Sequence, residues 1–497
     1  MAENEKKVKI IHTTLDEVPF GTEKDIPEPG SKLGRYELPD GITSNMLYKD
    51  VLRIAWPSLI ELILTQLTSM ADQIMVGRLP GTLGVQALSA VGLSTQPKFL
   101  LMTLVQSLNI GGTAMVARYR GIGDQKKANQ VLKQSVFVNI ILAVFFAICG
   151  VIFAEPMIRL IAGKNISDTT FAYGVTYFKI QMYGFVPIAM TFTFTAALRG
   201  CGDTKMPMIY NTIANVVNVV FNYLLIYGKF GFPEMDVAGA SLATVIGQTV
   251  AFFIAAGVIL SKTRFVYFDF KERFHFDRDI FNDVVKIGLP SMMEQLFMRA
   301  GIIIYTRTIT GLGDIAYATH QVCMNIQSMS FMIGMAFQNA NTTLSGQSLG
   351  KRRIDMAWLY NKYTKRLGLI SAVLLATAIY TFSGTLVGLY NENTEVIGLG
   401  SEILSMVAIM QPFQNQQFIT NGALRGAGDT KFSAMVIFVT VLGVRSGMAI
   451  LFVNFLHLGL KGGWYALVLD QGIRTALILW HYQTGKWRFI KLSDQKR

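Results

Sequence analysis

One nine-residue stretch is written twice in this chain. Ala197-Leu198-Arg199-Gly200-Cys201-Gly202-Asp203-Thr204-Lys205 returns as Ala423-Leu424-Arg425-Gly426-Ala427-Gly428-Asp429-Thr430-Lys431, with eight of nine residues identical and the copies 226 positions apart. A second pair of landmarks repeats at nearly the same distance: Pro57-Ser58 with Glu61, and Pro290-Ser291 with Glu294, offset by 233. A chain of 497 residues with both pairs is constrained to fold as two related halves. The residues between the landmarks fix the medium. Charged residues make up 15% and hydrophobic ones 51%, and the mean hydropathy is +0.39; soluble domains carry about 25% charged residues. The apolar residues gather into runs of about 20 or more, long enough to cross a ~30 Å hydrocarbon layer. Hydrocarbon offers the backbone no hydrogen bonds, so such runs fold as helices.

Spans are predicted near 51–77, 85–117, 131–155, 170–197, 204–228 and 238–262, then near 280–309, 315–346, 361–390, 396–423, 431–456 and 462–485. The loops sort by charge. One side holds Arg118, Arg120, Lys126, Lys127 and Lys133, then Lys262, Arg264, Lys271, Arg273 and Arg278, then Lys351, Arg352, Arg353, Lys362, Lys365 and Arg366. The opposite loops carry little beyond Arg78, Arg159, Lys164, Lys229 and Lys461. Basic loops stay cytoplasmic, which places both termini inside and accounts for the net charge of +13 without a nucleic-acid partner. Each half has an even number of spans, so the halves are parallel repeats about an axis along the membrane normal. The expected fold is all-α and integral to the membrane: twelve transmembrane helices in two pseudo-symmetric six-helix lobes around a central cleft.

The expected division is a flexible cytoplasmic tail over 1–47, lobes at 48–265 and 279–485, a cytoplasmic linker at 266–278 and a C-terminal tail from 486 to 497. The polar N-terminal stretch, with Pro27, Pro29 and Pro39, has no apolar run after its basic residues and does not read as a cleavable signal. Cys149, Cys201 and Cys323 have neither paired nor metal-ligand spacing, so no disulfide or structural zinc is expected.

Ionisable and amide side chains within spans are expensive and mark candidate sites. Glu61, Thr65, Thr68 and Asp72 follow spacings of 4, 3 and 4 and line one face of span 1. Asn211, Asn215, Asn218 and Asn222 repeat those spacings in span 5. Both spans run in the same direction, and Asp72 and Asn222 lie at similar depth near the outer end. Two such stripes would form a hydrated crevice in the first lobe that binds the coupling ion: Asp72 as main carrier, with Glu61, Thr68, Asn215, Asn218 and Asn222 around it. A carboxylate in a partly dry site holds its proton to higher pH than in water, which suits proton exchange.

The matching stripe in span 7 is Glu294, Met298, Gly301 and Tyr305, where only the first carboxylate survives. Glu294, Met298, Arg299, Gln414, Gln417 and His320 are candidates for a substrate cleft, and Met182, Met292, Met293 and Phe297 for further apolar contacts. Arg299 is the nearest cation in sequence to Glu294, although five residues is poor helical spacing. Asp470 and Arg474, at i and i+4, read as a structural ion pair. In the doubled stretch, Gly200, Gly202, Gly426 and Gly428 are read as turn residues, and Asp203 and Asp429 as N-caps of the following helices.

Two six-span halves, each closing its fourth span with Leu-Arg-Gly-X-Gly-Asp-Thr-Lys, resemble the multidrug and toxic compound extrusion (MATE) family. Met75-Val76-Gly77-Arg78-Leu79, Ala87-Leu88-Ser89-Ala90-Val91-Gly92-Leu93 and Ala318-Thr319-His320-Gln321 support the resemblance, which covers about residues 48 to 485. It implies secondary efflux of amphipathic, often cationic compounds, driven by a proton or sodium gradient. Some members place an aspartate where this chain has Asn222; others place a glutamate near Met298 and an aspartate near Gln414. All three positions are neutral here, which favours protons over sodium.

The expected function is therefore a cation-coupled antiporter of the plasma membrane. A flippase for a phosphate-bearing amphiphile is the alternative, to which Arg299 and Arg307 lend slight weight. The expected partners are a small amphipathic substrate and the lipid bilayer, with the chain acting as a monomer and no cofactor beyond the coupling ion. No His-Glu-X-X-His or Gly-X-Ser-X-Gly occurs, and Gly346-Gln347-Ser348-Leu349-Gly350-Lys351 falls one residue short of a P-loop, so no enzyme is expected.

Overall fold

In the computed structural model the described residues are 12–22, 33–34, 36–80, 83–162, 166–269, 274–390, 393–490 and 492. Pro27, Pro29, Lys164, Lys271, Arg273 and half of the C-terminal tail lie outside them. Among the described residues all the regular structure is helical. A short α1 (Thr14–Glu17) precedes α2 (Ser44–Gly77), α3 (Leu83–Ile122), α4 (Gln125–Ile152), α5 (Ala154–Ile161), α6 (Asp168–Tyr183), α7 (Phe185–Gly200), α8 (Lys205–Ile226) and α9 (Asp236–Leu260). Then follow α10 (Arg278–Thr310), α11 (Asp314–Gly350), α12 (Ile354–Thr381), α13 (Ser383–Gly388), α14 (Thr394–Ala427), α15 (Lys431–Ile437), α16 (Ser446–Ile450) and α17 (Gly459–Thr484).

Helices α6 and α7 meet at a 52° bend and make one broken span. Wider π turns at Phe438–Arg445 and Leu451–Phe455 flank α16 and continue α15 into one span. Counted this way, twelve helical spans divide six and six, matching the expected fold. Seven helices are apolar enough by length and composition alone to cross a bilayer, eight with the bent pair. Polar and charged positions keep α10, α11, α12 and α17 from that group; α10 carries Glu294 and α17 carries Asp470, two buried carboxylates of the second half.

The chain forms two compact units, one holding residues 60–285 and the other 12–59 with 286–497. The boundary therefore falls inside α2, three residues past Pro57, rather than at residue 48. Two expectations are corrected here. The N-terminal segment is not a free tail over Thr13–Val18: Leu15 and Val18 are buried in the second unit's core. Asp50 accepts from the Thr14 backbone N–H at 2.8 Å and from the Tyr360 hydroxyl at 2.8 Å. Lys351 Nζ donates to the Leu15 and Val18 carbonyls at 2.7 and 3.1 Å. A cation capping orphan carbonyls holds a helix too short to stand alone. The second correction concerns the linker, whose described parts lie on the first unit. Tyr267 N–H donates to Asn129 Oδ1 at 2.9 Å, and Gln134 Nε2 donates to the Asp277 carbonyl at 3.2 Å.

The doubled stretch is a packing device in both units. A Cβ on Gly200 would lie 2.8 Å from the Thr113 carbonyl oxygen, and one on Gly426 would strike the Thr342 carbonyl. These glycines allow close helix approach and do not make the turn. The turn belongs to Gly202 (φ +85°) and Gly428 (φ +84°), in the left-handed region that glycine adopts without penalty. Asp203 Oδ1 accepts from the Met206 N–H at 3.3 Å, as a cap should, while its Oδ2 pairs with Arg264 at 3.0 Å. Asp429 instead meets His481 Nε2 at 2.7 Å.

Candidate functional site

In the first unit the two predicted stripes face each other, rung by rung, at a constant offset of 150 residues. Asn211 Nδ2 donates to Glu61 Oε1 at 2.7 Å, Asn215 Nδ2 to Thr65 Oγ1 at 3.5 Å, and Asn222 Nδ2 to Asp72 Oδ1 at 2.5 Å. A fixed offset means that α2 and α8 run parallel in register, as equal spacings on two like-directed helices require. Thr65 and Thr68 spend their protons on their own helix, donating to the Glu61 and Leu64 carbonyls at 2.8 and 2.9 Å. Thr65 Oγ1 thus receives Asn215 as an acceptor.

Asp72 is half-buried, and its hydrogen-bond partners are neutral amides. Turned to satisfy its neighbours, the Asn218 amide donates to Asp72 Oδ1 at 2.8 Å, and its oxygen accepts from Thr244 Oγ1 at 3.2 Å. Asn222 is wholly buried, and its Oδ1 has no partner. Around this centre stands a second layer that the sequence reading missed. Tyr177 on α6 and Lys98 on α3 stand close to Asp72. Lys98 Nζ donates to Gln181 Oε1 at 2.6 Å. Gln181 Nε2 donates in turn to Ser241 Oγ at 3.1 Å, and Ser241 Oγ to the Tyr177 carbonyl at 2.8 Å. A lysine one residue past a proline within a predicted span was signal enough to find this layer.

Glu61 sits three turns away from Asp72 in a different setting. Arg199 Nη2 donates to both of its oxygens at 2.9 Å. The second unit builds the same lock. Arg425 Nη2 donates to Glu294 Oε1 at 2.9 Å, and Asn421 Nδ2 to the same oxygen at 3.3 Å. Glu294 therefore pairs with the arginine of the doubled stretch and not with Arg299, because partners on different helices meet at one height whatever their distance in sequence. Arg299 is exposed, one position past the half-buried Met298.

The remaining second-unit candidates are buried. Gln414 has neither amide atom partnered, and Gln417 Oε1 and His320 Nδ1 also lack partners. His320 lies between Tyr305 and Trp464, with ring centres 5.6 and 5.5 Å away. Phe297 meets Phe438 edge-on at 4.9 Å, and Met182 is fully buried in the first unit against Gly150. The predicted Asp470–Arg474 pair forms at 2.6 Å, and Arg445 joins it at 2.5 Å. Asp470 is wholly buried between the two guanidinium groups.

Known proteins can be set beside this geometry. A probable multidrug resistance protein NorM of Thermotoga maritima is 27% identical over 464 residues, covering 90% of this chain and 95% of that protein. The uncharacterised transporter YisQ of Bacillus subtilis is 28% identical over 440 residues, covering 87% and 94%. A solved MATE structure in complex with MaL6 superposes with a TM-score of 0.82 at 22% identity, covering 89% of this chain and 98% of that one. That likeness speaks for the fold. The MatE family model matches residues 57–224 and again 290–451. The two matched segments open on Pro57 and Pro290, the second pair of repeated landmarks, and the chain belongs to the MatE family.

Proposed function

We propose that this chain is a proton-driven efflux transporter of amphipathic, often cationic small molecules, and that Asp72 carries the proton. In this reading it works by alternating access as a monomer in the cytoplasmic membrane, with both termini inside. The description of the Thermotoga relative as a probable multidrug resistance protein supports the substrate class. The lipid-carrier alternative has no support among the relatives described above.

One observation carries the coupling assignment. A proton carrier must exist in two charge states, with neither one ruinous. Glu61, Glu294 and Asp470 each accept from arginine, so neutralising any of them strands a guanidinium at least half-buried in the protein. Asp72 faces two side-chain amides, and neutralising it strands no guanidinium; its cationic neighbour Lys98 keeps Gln181 Oε1 as a partner. An amide serves either state of a carboxyl: its nitrogen donates to the anion, and its oxygen accepts from the acid. The unpartnered Asn222 Oδ1 supplies that second role. Lys98, close enough to act on Asp72, argues against a resident sodium ion, since a hard cation wants several oxygens and no neighbouring positive charge.

Purified protein in liposomes, loaded with a fluorescent cation, tests the reading under separately imposed pH and sodium gradients. The wild type is expected to respond to the pH gradient alone. Asp72→Asn is expected to fall to background while keeping the wild-type elution profile. Full pH-driven transport by that variant, or a wild type driven by sodium, would sink the proposal.

A further inference from the structure

The second unit carries a basic cavity that the transport site does not use. It measures about 690 Å³ and lies at the start of α12. Lys362, Lys365 and Arg366 line it together with Trp358, Leu33 and Leu369. The rest of the wall is neutral, with amides from Asn361, Gln416 and Gln483. Among the described residues none of the three cations pairs with a carboxylate. Two rest on rings instead: Lys362 Nζ lies 5.0 Å from the Trp358 centre, and Arg366 Cζ lies 5.4 Å from that of Tyr363. Three converging positive charges without an anion are costly to hold together, so the cavity is built for one.

The helix that carries them says where that anion sits. From Lys362 to the end of α12 at Thr381 there are 19 residues, a rise of ~28 Å, which matches the hydrocarbon thickness of a bilayer. Lys362 therefore lies at the headgroup level, with Lys365 and Arg366 one turn deeper, where long basic side chains reach back to that level. Leu369 and Val373 continue their stripe at spacings of 3 and 4, and Leu369, Ile370, Val373 and Leu374 are all exposed. A charged cup thus opens directly onto a lipid-facing apolar strip.

We infer that this cavity is a binding site for an anionic phospholipid, its phosphate held by Lys362, Lys365 and Arg366 and its acyl chain laid along Leu369, Val373 and Leu374. Loop charge that only sets orientation needs no cavity and no apolar continuation. A free phosphate would gain nothing from the strip, whereas an anionic lipid satisfies both parts at once. The site is independent of the Asp72 assignment and stands on the membrane placement of α12 alone.

The test is retention of lipid by the detergent-purified full chain, read by native mass spectrometry. Phosphatidylglycerol and phosphatidylcholine of matched chains are offered separately, and inorganic phosphate is added as competitor. The wild type is expected to keep phosphatidylglycerol at least tenfold over phosphatidylcholine, with millimolar phosphate failing to displace it. Lys362→Gln/Lys365→Gln/Arg366→Gln is expected to bring that ratio to near one, while Lys262→Gln in the first unit leaves it unchanged. The wild-type measurement stands even where the triple variant fails to fold. A wild type without preference, a folded triple variant that keeps the preference, or displacement by phosphate would each overturn the inference.

Discussion

The two six-helix units share a frame and differ in what fills it. Each frame closes with a glutamate just past a Pro-Ser pair and an arginine from the doubled stretch, Glu61 with Arg199 in one and Glu294 with Arg425 in the other, each joined by an asparagine from a different helix: Asn211 on α8 and Asn421 on α14. Further along the same helices the likeness ends. Offsets of 233 and 226 carry Thr68 to Gly301, Asp72 to Tyr305, and Asn215, Asn218 and Asn222 to Val441, Val444 and Met448. The first unit keeps a ladder of amides and a carboxylate there. In the second, Val441 packs straight onto Gly301. The buried charge of the second unit has moved to Asp470, where two arginines fix it. Repetition thus preserved the lock, and divergence confined the carboxylate bonded only to amides to one unit.

Asp470→Asn breaks that comparison most directly. It leaves Arg445 and Arg474 facing each other without an anion, at a cost of about 3–5 kcal/mol. Asp72→Asn, surrounded by amides that can reorient, is expected to cost less than about 1 kcal/mol while abolishing coupling. Thermal unfolding of both variants in the same detergent checks the pair. Equal losses would show that Asp72 is as structural as Asp470.

Much of this was legible before any coordinates. The repeat, the twelve spans, the facing stripes and the matched depth of Asp72 and Asn222 all follow from periodicity, because both helices run the same way with the same spacing. Partners were harder. Arg199 lies 138 residues from Glu61 and Arg425 lies 131 from Glu294, and helical spacing says which face a residue occupies but not which helix it meets. Arg299 was the wrong partner for Glu294 for that reason, and Arg445 escaped notice beside Asp470. The docked Thr13–Val18 segment was hidden by its polar composition, since two buried apolar side chains make no period. The first glycines of the doubled stretch read as turn residues because glycine looks the same whether it frees a dihedral or admits a neighbour.

Gly301→Ala sharpens the contrast at smaller scale. Its new methyl would overlap Val441 Cγ1, and overpacking of that kind costs about 1–3 kcal/mol. Thr68→Ala, the corresponding change in the first unit, removes a hydroxyl bonded to its own helix and is expected to shift stability by under about 1 kcal/mol. Val441→Ala added to Gly301→Ala should restore most of the loss. A silent Gly301→Ala would mean that the second unit is as open along this face as the first.

The smallest expected effect lies in the doubled stretch itself, where Asp203 meets Arg264 and Asp429 meets His481. Burial raises the Asp203 carboxyl above its ordinary range, more than the Arg264 guanidinium lowers it. A carboxyl raised in the folded state contributes stability that is present below its unfolded value, near 3.8, and is lost as pH rises through the folded value. Asp203→Asn keeps the cap on the Met206 N–H, since asparagine caps as well as aspartate, and it removes the titration. The variant is therefore expected to match the wild type to within about 1 kcal/mol at acid pH, where the wild-type carboxyl is itself neutral, and to gain on it towards neutral pH. Paired melting curves from about pH 4 to pH 8 read the difference directly. A deficit that grows with pH would mean that Arg264 outweighs burial at Asp203, making this aspartate a true member of the arginine-locked set and leaving Asp72 more isolated still.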